Sequence, residues 1–235
     1  FNFTAGSRNL KAAGKAAQVT KVITAHKFVE LGNLEPLIEQ LSEDFEIIYL
    51  EDVREGLTLG DKIAGGLGPI FPSLFKASPS YKSTGVVLFT SGTEGDPKGV
   101  VLSHENVLSN VEQVRAHIDL YPETDILFNP LPTFHCFGLT VGAVLPLIAG
   151  IKSIFHPTPL QPREIAHRIR DTGSTILLAT DTFISQYARA GDQGDLATLR
   201  LSVCGAERVR DETRQMVRKK YNIEILEGYG ATEAS

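Results

Sequence analysis

The ten residues Thr90-Ser91-Gly92-Thr93-Glu94-Gly95-Asp96-Pro97-Lys98-Gly99 carry the densest chemistry in this sequence. Glycines let a backbone come close to a bulky anion and turn its N–H groups inward. Ser91 and Thr93 flank Gly92 with hydroxyls, and Lys98 adds a point charge. The combination predicts a loop that cradles phosphate. It is not the common nucleotide loop, because Lys98 follows Pro97 and precedes Gly99 rather than sitting between Gly and Ser/Thr. Nor does it read Gly-x-Gly-x-x-Gly.

A second stretch, Glu227-Gly228-Tyr229-Gly230-Ala231-Thr232-Glu233, complements the first. Glycines on both sides of Tyr229 allow its ring to lie flat against a planar group. Thr232 offers a hydroxyl, and Glu233 an oxygen of the kind Mg²⁺ takes alongside phosphate oxygens. Alone, the segment would read as a turn with a surface tyrosine and glutamate. Beyond a phosphate loop it becomes a candidate binding element. Gly205-Ala206-Glu207 is readable either as an ordinary strand-to-helix turn or as a small-residue loop that admits a ligand. His135 lies in Pro132-Thr-Phe-His-Cys-Phe-Gly138. A lone histidine beside phenylalanines is more often packed than catalytic, and Phe134, Phe137 and residues 139–148 fit an acyl-pocket wall and a core helix equally well.

The elements that must position these residues alternate. Hydrophobic spacing predicts helices over 6–18, 31–41, 103–120, 163–171, 181–190 and 211–220. Strands are predicted over 21–25, 45–50, 85–89, 125–129, 151–156, 175–178, 199–203 and 223–226. Residues 56–82, with five glycines and three prolines, read mainly as loop and as a boundary between portions 1–82 and 83–235. Regular alternation argues for a parallel α/β sheet, whose ligands bind beyond the carboxyl ends of the strands. The three glycine-bearing stretches are expected at such ends.

Bulk properties agree with a globular domain. The chain has 235 residues, 42% hydrophobic and 22% charged, with a net charge of −5 that gives no support for a nucleic-acid partner. Cys136 and Cys204 have no metal-ligand spacing, which fits a reducing compartment with both thiols buried and inert. The apolar run 137–151 is shorter than the roughly 20 residues a spanning helix needs, so it reads as a buried helix. The sequence opens on Phe1-Asn2-Phe3 and stops just after the second motif, so it reads as a piece of a longer protein.

The 90–99 loop and the 227–233 stretch resemble the signatures of adenylate-forming enzymes: acyl-CoA synthetases, luciferases and the adenylation domains of peptide synthetases. The resemblance implies an α/β fold, made of parallel-sheet subdomains from the large N-terminal domain of such an enzyme, with its C-terminal lid domain absent. It implies ATP and Mg²⁺ as cofactors. Thr90, Ser91, Gly92, Thr93, Gly95 and Lys98 would hold the pyrophosphate portion. Gly205, Ala206 and Glu207 would border adenine, and Tyr229, between Gly228 and Gly230, would stack on it. Thr232 would meet the α-phosphate, Glu233 would hold Mg²⁺, and His135 would border the acid's carboxylate. Lys98, His135, Thr232 and Glu233 are thus the expected catalytic set.

Glu94 departs from the Thr or Ser common at its position. With Phe1-Asn-Phe-Thr-Ala-Gly6, Tyr49-Leu-Glu-Asp-Val-Arg54 and Phe137-Gly-Leu-Thr-Val-Gly142, it resembles bifunctional acyl–acyl carrier protein synthetase / 2-acylglycerophosphoethanolamine acyltransferases. That implies a fatty acid substrate and a carrier-protein phosphopantetheine thiol (or CoA) as acceptor. It also implies a cytoplasmic location, with a parent at the inner face of the cell membrane that meets lysophospholipid. No histidine here is followed five positions later by Asp, as the acyltransferase half requires, so the transferase step is not expected of this chain.

Overall fold

The structure, a computed structural model, describes residues 1–75, 78–90 and 98–235, with Phe75 as backbone alone. It divides into two compact units, residues 1–83 with 89–100, and residues 84–88 with 101–235.

In the first unit, α1 (Ser7–Ala16) leads to β1 (Lys21–Thr24), and α2 (His26–Gly32) and α3 (Glu35–Ser42) lead to β2 (Glu46–Tyr49). β1 and β2 pair in parallel, with Lys21 opposite Glu46. Leu10, Leu41 and Phe45 form the small core. The single helix expected over 31–41 is two helices. Asn33 turns left-handed at φ 49° and ends α2, and Pro36 sits in the first turn of α3, where its missing N–H costs nothing.

The expectation of a loop over 56–82 is corrected. After α4 (Leu50–Glu55) come α5 (Leu59–Leu67) and α6 (Pro72–Phe75). Thr58 and Asp61 cap α5 reciprocally: the Asp61 carboxylate takes the Thr58 N–H at 2.9 Å, and Thr58 Oγ1 takes the Asp61 N–H at 3.2 Å. Satisfying orphan donors at both positions offsets part of the low helix propensity of Gly60, Gly65 and Gly66.

β3 (Thr84–Thr90) and β4 (Lys98–Ser103) are neighbours in a two-stranded sheet of their own. Thr90 therefore ends a strand that is not part of the main parallel sheet, contrary to expectation. Ser103 caps α7 (His104–Arg115) by accepting the Asn106 N–H, and the helix ends at Arg115 rather than near 120.

The second unit is built on five parallel strands: β5 (Ile126–Asn129), β6 (Lys152–Phe155), β7 (Ile176–Ala179), β8 (Leu201–Cys204) and β9 (Glu224–Glu227). Their order is β6-β5-β7-β8-β9, with registers such as Phe128 opposite Leu177 and Ala179 opposite Cys204. Between β5 and β6 run a π-helical segment (Phe137–Val144) and α8 (Leu145–Ala149). α9 (Pro162–Thr172), α10 (Asp181–Ala190) and α11 (Asp211–Tyr221) make the later crossovers.

Both faces of the sheet are covered, and the strand alternation divides the core in two. Leu177 and Ala179 join Ile165, Ile184 and Val217 of the later helices. Ile176 and Leu178 join Val111 of α7 and Val141 and Leu145 of the apolar run. That run was expected to be a buried helix and is only half so, since Leu145 is buried while Leu147 is 83% exposed. No helix among the described residues is long and apolar enough to cross a membrane. The chain leaves β5 outward to β6 and returns beyond β5 to β7. This reversal is the kind of switch point at which parallel sheets open a crevice.

Candidate functional site

The carboxyl edge of this sheet gathers two of the three glycine stretches. The Gly205 N–H donates to the Ala179 carbonyl at 3.2 Å, and the Gly228 N–H to the Cys204 carbonyl at 2.8 Å. The ladder thus runs one residue past β8 and β9. A side chain could not be added at Gly205 without crowding: its Cβ would lie 3.2 Å from Cε1 of Phe137 and 3.5 Å from the Gly228 carbonyl oxygen. Phe137, Gly205 and Gly228 therefore meet in one place. Ala206 follows in the left-handed region at φ 69°, and is exposed. Tyr229 is fully exposed between two exposed glycines, so its ring faces are free to receive a planar partner.

Thr232 and Glu233 sit in a short 3₁₀ turn, Thr232–Ala234. Asn110 of α7 donates to the Ala234 carbonyl at 3.5 Å, and the hydroxyls of Thr140 and Ser235 lie 3.0 Å apart. The turn is thereby tied to α7 and to the π-helical segment, with Thr232 half-buried and Glu233 in solvent. A single exposed carboxylate completed by phosphate oxygens is the donor set Mg²⁺ prefers, so Glu233 fits that ion.

His135 is exposed and lies just before the π-helical segment, whose N-cap is Cys136. Its N–H donates to Pro132, its carbonyl accepts from the Leu139 N–H at 2.9 Å, and its ring lies 5.2 Å from that of Phe134. What shapes this corner is Asn129, which sequence reasoning missed. Asn129 is fully buried at the end of β5. Its amide donates to the Gly138 carbonyl at 3.1 Å, and its Oδ1 accepts the Leu131 N–H at 3.0 Å. Gly138 and Gly142 are obligatory, because an added Cβ would fall 2.3 Å from the Pro132 carbonyl oxygen and 2.1 Å from Asn129 Nδ2 respectively. The available signal was a polar residue ending an apolar strand, followed by Pro130 and by glycines four residues apart. π-helical turns inside helices concentrate at functional sites.

Glu207, which the resemblance placed beside adenine, bonds within the chain. Its carboxylate accepts the Thr182 N–H at 2.8 Å and the Thr182 hydroxyl at 3.1 Å, over the first turn of α10. The Thr180 hydroxyl first, and then the Thr182 N–H and hydroxyl, hold it below the ordinary carboxylate range against the opposing pull of burial. Burial pushes the Cys204 thiol up to about 11, as an inert thiol requires, whereas Cys136 is only half-buried, short of the expected burial. Of the predicted phosphate loop, Thr90 ends β3 half-buried and Lys98 opens β4 exposed. Ser91, Gly92, Thr93, Glu94 and Gly95 lie outside the described residues.

Elsewhere, His167 Nε2 lies 3.5 and 3.4 Å from carboxylate oxygens of Asp192 and Asp195. Arg170 already pairs with Asp195 at 2.6 Å and Arg163 approaches Asp192 at 3.7 Å, so the group is an ion-pair network.

The sequence model of the family described as AMP-binding enzyme matches residues 3–235. The chain belongs to that family. Among its curated relatives, a Dictyostelium discoideum protein named "Probable 4-coumarate--CoA ligase 3" is 31% identical over 159 residues, 66% of this chain and 29% of that protein. The "Medium-chain fatty-acid--CoA ligase" of Escherichia coli (strain K12) is 30% identical over 151 residues, 63% of this chain and 26% of that protein. Among solved structures, ATP-bound MatB from Rhodopseudomonas palustris superimposes with a TM-score of 0.77 at 22% identity, over 99% of this chain and 44% of that one. The family's fold, a mixed α/β domain around a parallel sheet, is therefore the fold of this chain. The chain spans well under half the length of these curated relatives.

Proposed function

We propose that this chain is the nucleotide-binding part of an ATP-dependent ligase that joins a fatty acid to a thiol. A fatty-acid carboxylate would attack the α-phosphate of ATP, giving an acyl-adenylate and pyrophosphate, and a thiol would then take the acyl group. Family membership over residues 3–235 carries the reading. The meeting of Phe137, Gly205 and Gly228 at the carboxyl edge, next in sequence to the exposed Tyr229, supports it.

In this reading the backbone at 205–206 and 228 lines a slot for adenine, and Tyr229 stacks on the base. Thr232 donates to the α-phosphate, Glu233 holds Mg²⁺ (which supplies charge neutralisation), and His135 borders the acid. The loop 90–99, through Thr90, Ser91, Gly92, Thr93, Gly95 and Lys98, holds the pyrophosphate portion. Positioning and electrostatic stabilisation do the work. Residues 1–82 form one portion and 83–235 the nucleotide-binding portion.

The acceptor thiol has two candidates. Relatives named as CoA ligases favour CoA. The residues resembling acyl carrier protein synthetases, Glu94 among them, favour a carrier-protein phosphopantetheine thiol. Transfer to lysophospholipid, and a place at the cytoplasmic membrane face, belong to the second candidate's larger parent.

Fatty-acid-dependent ATP–pyrophosphate exchange in the intact parent protein tests the first step, and calorimetry of this chain with ATP and AMP tests the alternative that it is a non-catalytic nucleotide-binding or scaffold piece. Replacing Lys98 by Ala is expected to lower the exchange at least about tenfold, the scale of one lost charge-assisted contact. Exchange that is absent, or unmoved by Lys98→Ala, overturns respectively the activity and the role of Lys98. Thioester formation with CoA against carrier protein separates the two acceptors.

A further inference from the structure

Two carboxylates beyond neighbouring strands, Asp181 and Glu227, tie down the turn 205–210, and a third, Glu207, ties the turn outward. Asp181, the first residue of α10 beyond β7, is 2% exposed. It accepts the Arg210 main-chain N–H on Oδ1 at 3.0 Å and Arg210 Nε on Oδ2 at 2.6 Å. Glu227, the last residue of β9, accepts the Val209 N–H at 3.1 Å and Arg214 Nη2 at 3.2 Å. Glu207 reaches out of the turn in the other direction, to Thr182 N and Oγ1. Residues 207, 209 and 210 are each tied down, and Ala206 is held at φ 69°. An alanine keeps that conformation only where its surroundings over-determine it.

We infer that Glu207 is a positioning residue and not a nucleotide ligand. Its carboxylate, occupied by Thr182, acts with Asp181 and Glu227 to pre-set the Gly205–Ala206 backbone against Gly228, the slot assigned to adenine. The inference rests on the nucleotide reading above and deepens it. The motif's acidic residue faces the scaffold and its small residues face the ligand. The site is thus shaped before any nucleotide arrives, the preorganisation that lowers the ordering cost of binding.

Two measurements on the full chain decide it: hydrogen exchange of amides 206–210 without nucleotide, and AMP affinity by calorimetry. Glu207→Ala is expected to speed exchange across 206–210 by about tenfold or more and to weaken AMP by about fivefold or more. Glu207→Gln keeps an acceptor for the Thr182 N–H and should stay within about threefold of the parent in both. Thr182→Ala should reproduce part of the Glu207→Ala effect and add little on top of it, since one contact is removed twice. It also serves if Glu207→Ala does not fold. A glutamate that touched nucleotide or its metal would make Glu207→Gln as damaging to AMP binding as Glu207→Ala, with exchange unchanged. That pattern overturns the inference, as does full additivity with Thr182→Ala or unaltered AMP affinity in Glu207→Ala. Failure of the parent chain to bind AMP overturns the nucleotide reading, and the exchange result still decides whether Glu207 clamps the turn.

Discussion

The two edges of the five-stranded sheet are built from the same strands and end in opposite chemistry. At the amino edge, Asp125, Thr175 and Arg200 precede β5, β7 and β8 and bond to one another. Arg200 donates to both oxygens of Asp125 at 2.9 and 2.6 Å, and Thr175 Oγ1 and the Tyr121 N–H donate to the same carboxylate at 2.8 Å each. Arg200 also reaches the Asp119 carbonyl and lies 5.2 Å from the Tyr121 ring centroid. At the carboxyl edge the strands end in Gly205 and Gly228, an exposed alanine and a bare tyrosine ring. One edge uses its polar groups on itself and closes. The other also pairs polar groups, Asp181 with Arg210 and Glu227 with Arg214, but in addition leaves Ala206 and the Tyr229 ring exposed. In the proposed reading a nucleotide would take up what the second edge leaves exposed.

The sharpest way to break this contrast is at the closed edge. Arg200→Ala leaves the Asp125 carboxylate, 1% exposed, without its counter-charge. Because the guanidinium is itself partly in water, the expected loss is about 2–3 kcal/mol, at or below the low end for breaking a buried pair. Urea unfolding measures it. Activity per folded molecule should not change, and a matching loss of activity would erase the distinction between the edges. The same pair sets an acid limit. Burial pushes the Asp125 carboxyl up, but Arg200, the Tyr121 N–H and Thr175 outweigh it and hold the group below its ordinary value. A depressed carboxyl contributes stability above its unfolded value of about 3.9, and loses it as pH falls through the folded value. The parent's stability should therefore fall more steeply below about pH 4 than that of Asp125→Asn, by acid titration of unfolding.

A smaller effect is expected at the carboxyl edge, beside Asn129. Gly138→Ala would drive a Cβ to 2.3 Å from a backbone carbonyl that cannot swing aside. About 1–3 kcal/mol of stability should be lost, with the π-helical segment displaced from Asn129. Thermal unfolding and ATP–pyrophosphate exchange should fall together at this position, unlike at Arg200. The mildest change in stability is expected at Tyr229→Ala. A fully exposed ring contributes nothing to the core, so unfolding should be unchanged while AMP affinity drops by about tenfold, the worth of one stacked aromatic. A Tyr229→Ala protein that melts early would place that ring in the fold's support rather than at the ligand.

Much of the second unit was legible because its signals are local. α10 begins and ends where spacing predicts, at Asp181 and Ala190, and the strand alternation from β5 to β9 matches the expected order within a few residues. The losses came where a short-range polar contact overrode composition. Within glycine-rich 56–82, residues 59–67 fold as helix with Thr58 and Asp61 capping each other, and 31–41 breaks because Asn33 turns left-handed. In the candidate site, Gly205, Gly228, Tyr229 and Glu233 were identifiable by type, and Asn129 was not, since its importance lies in two glycines that come to it from the next segment.

The sequence by itself determined the alternation of apolar stretches, and therefore a parallel sheet, and the residue types that suit phosphate, base and cation. Those follow from side-chain period and donor chemistry, which are properties of neighbours along the chain. Only the tertiary structure decided that Glu207 faces Thr182, that Phe137 meets Gly205, and that β3 and β4 stand outside the main sheet. Each is a contact between residues far apart in sequence, or a choice of strand partner, and is settled by which groups remain unsatisfied once the core has closed.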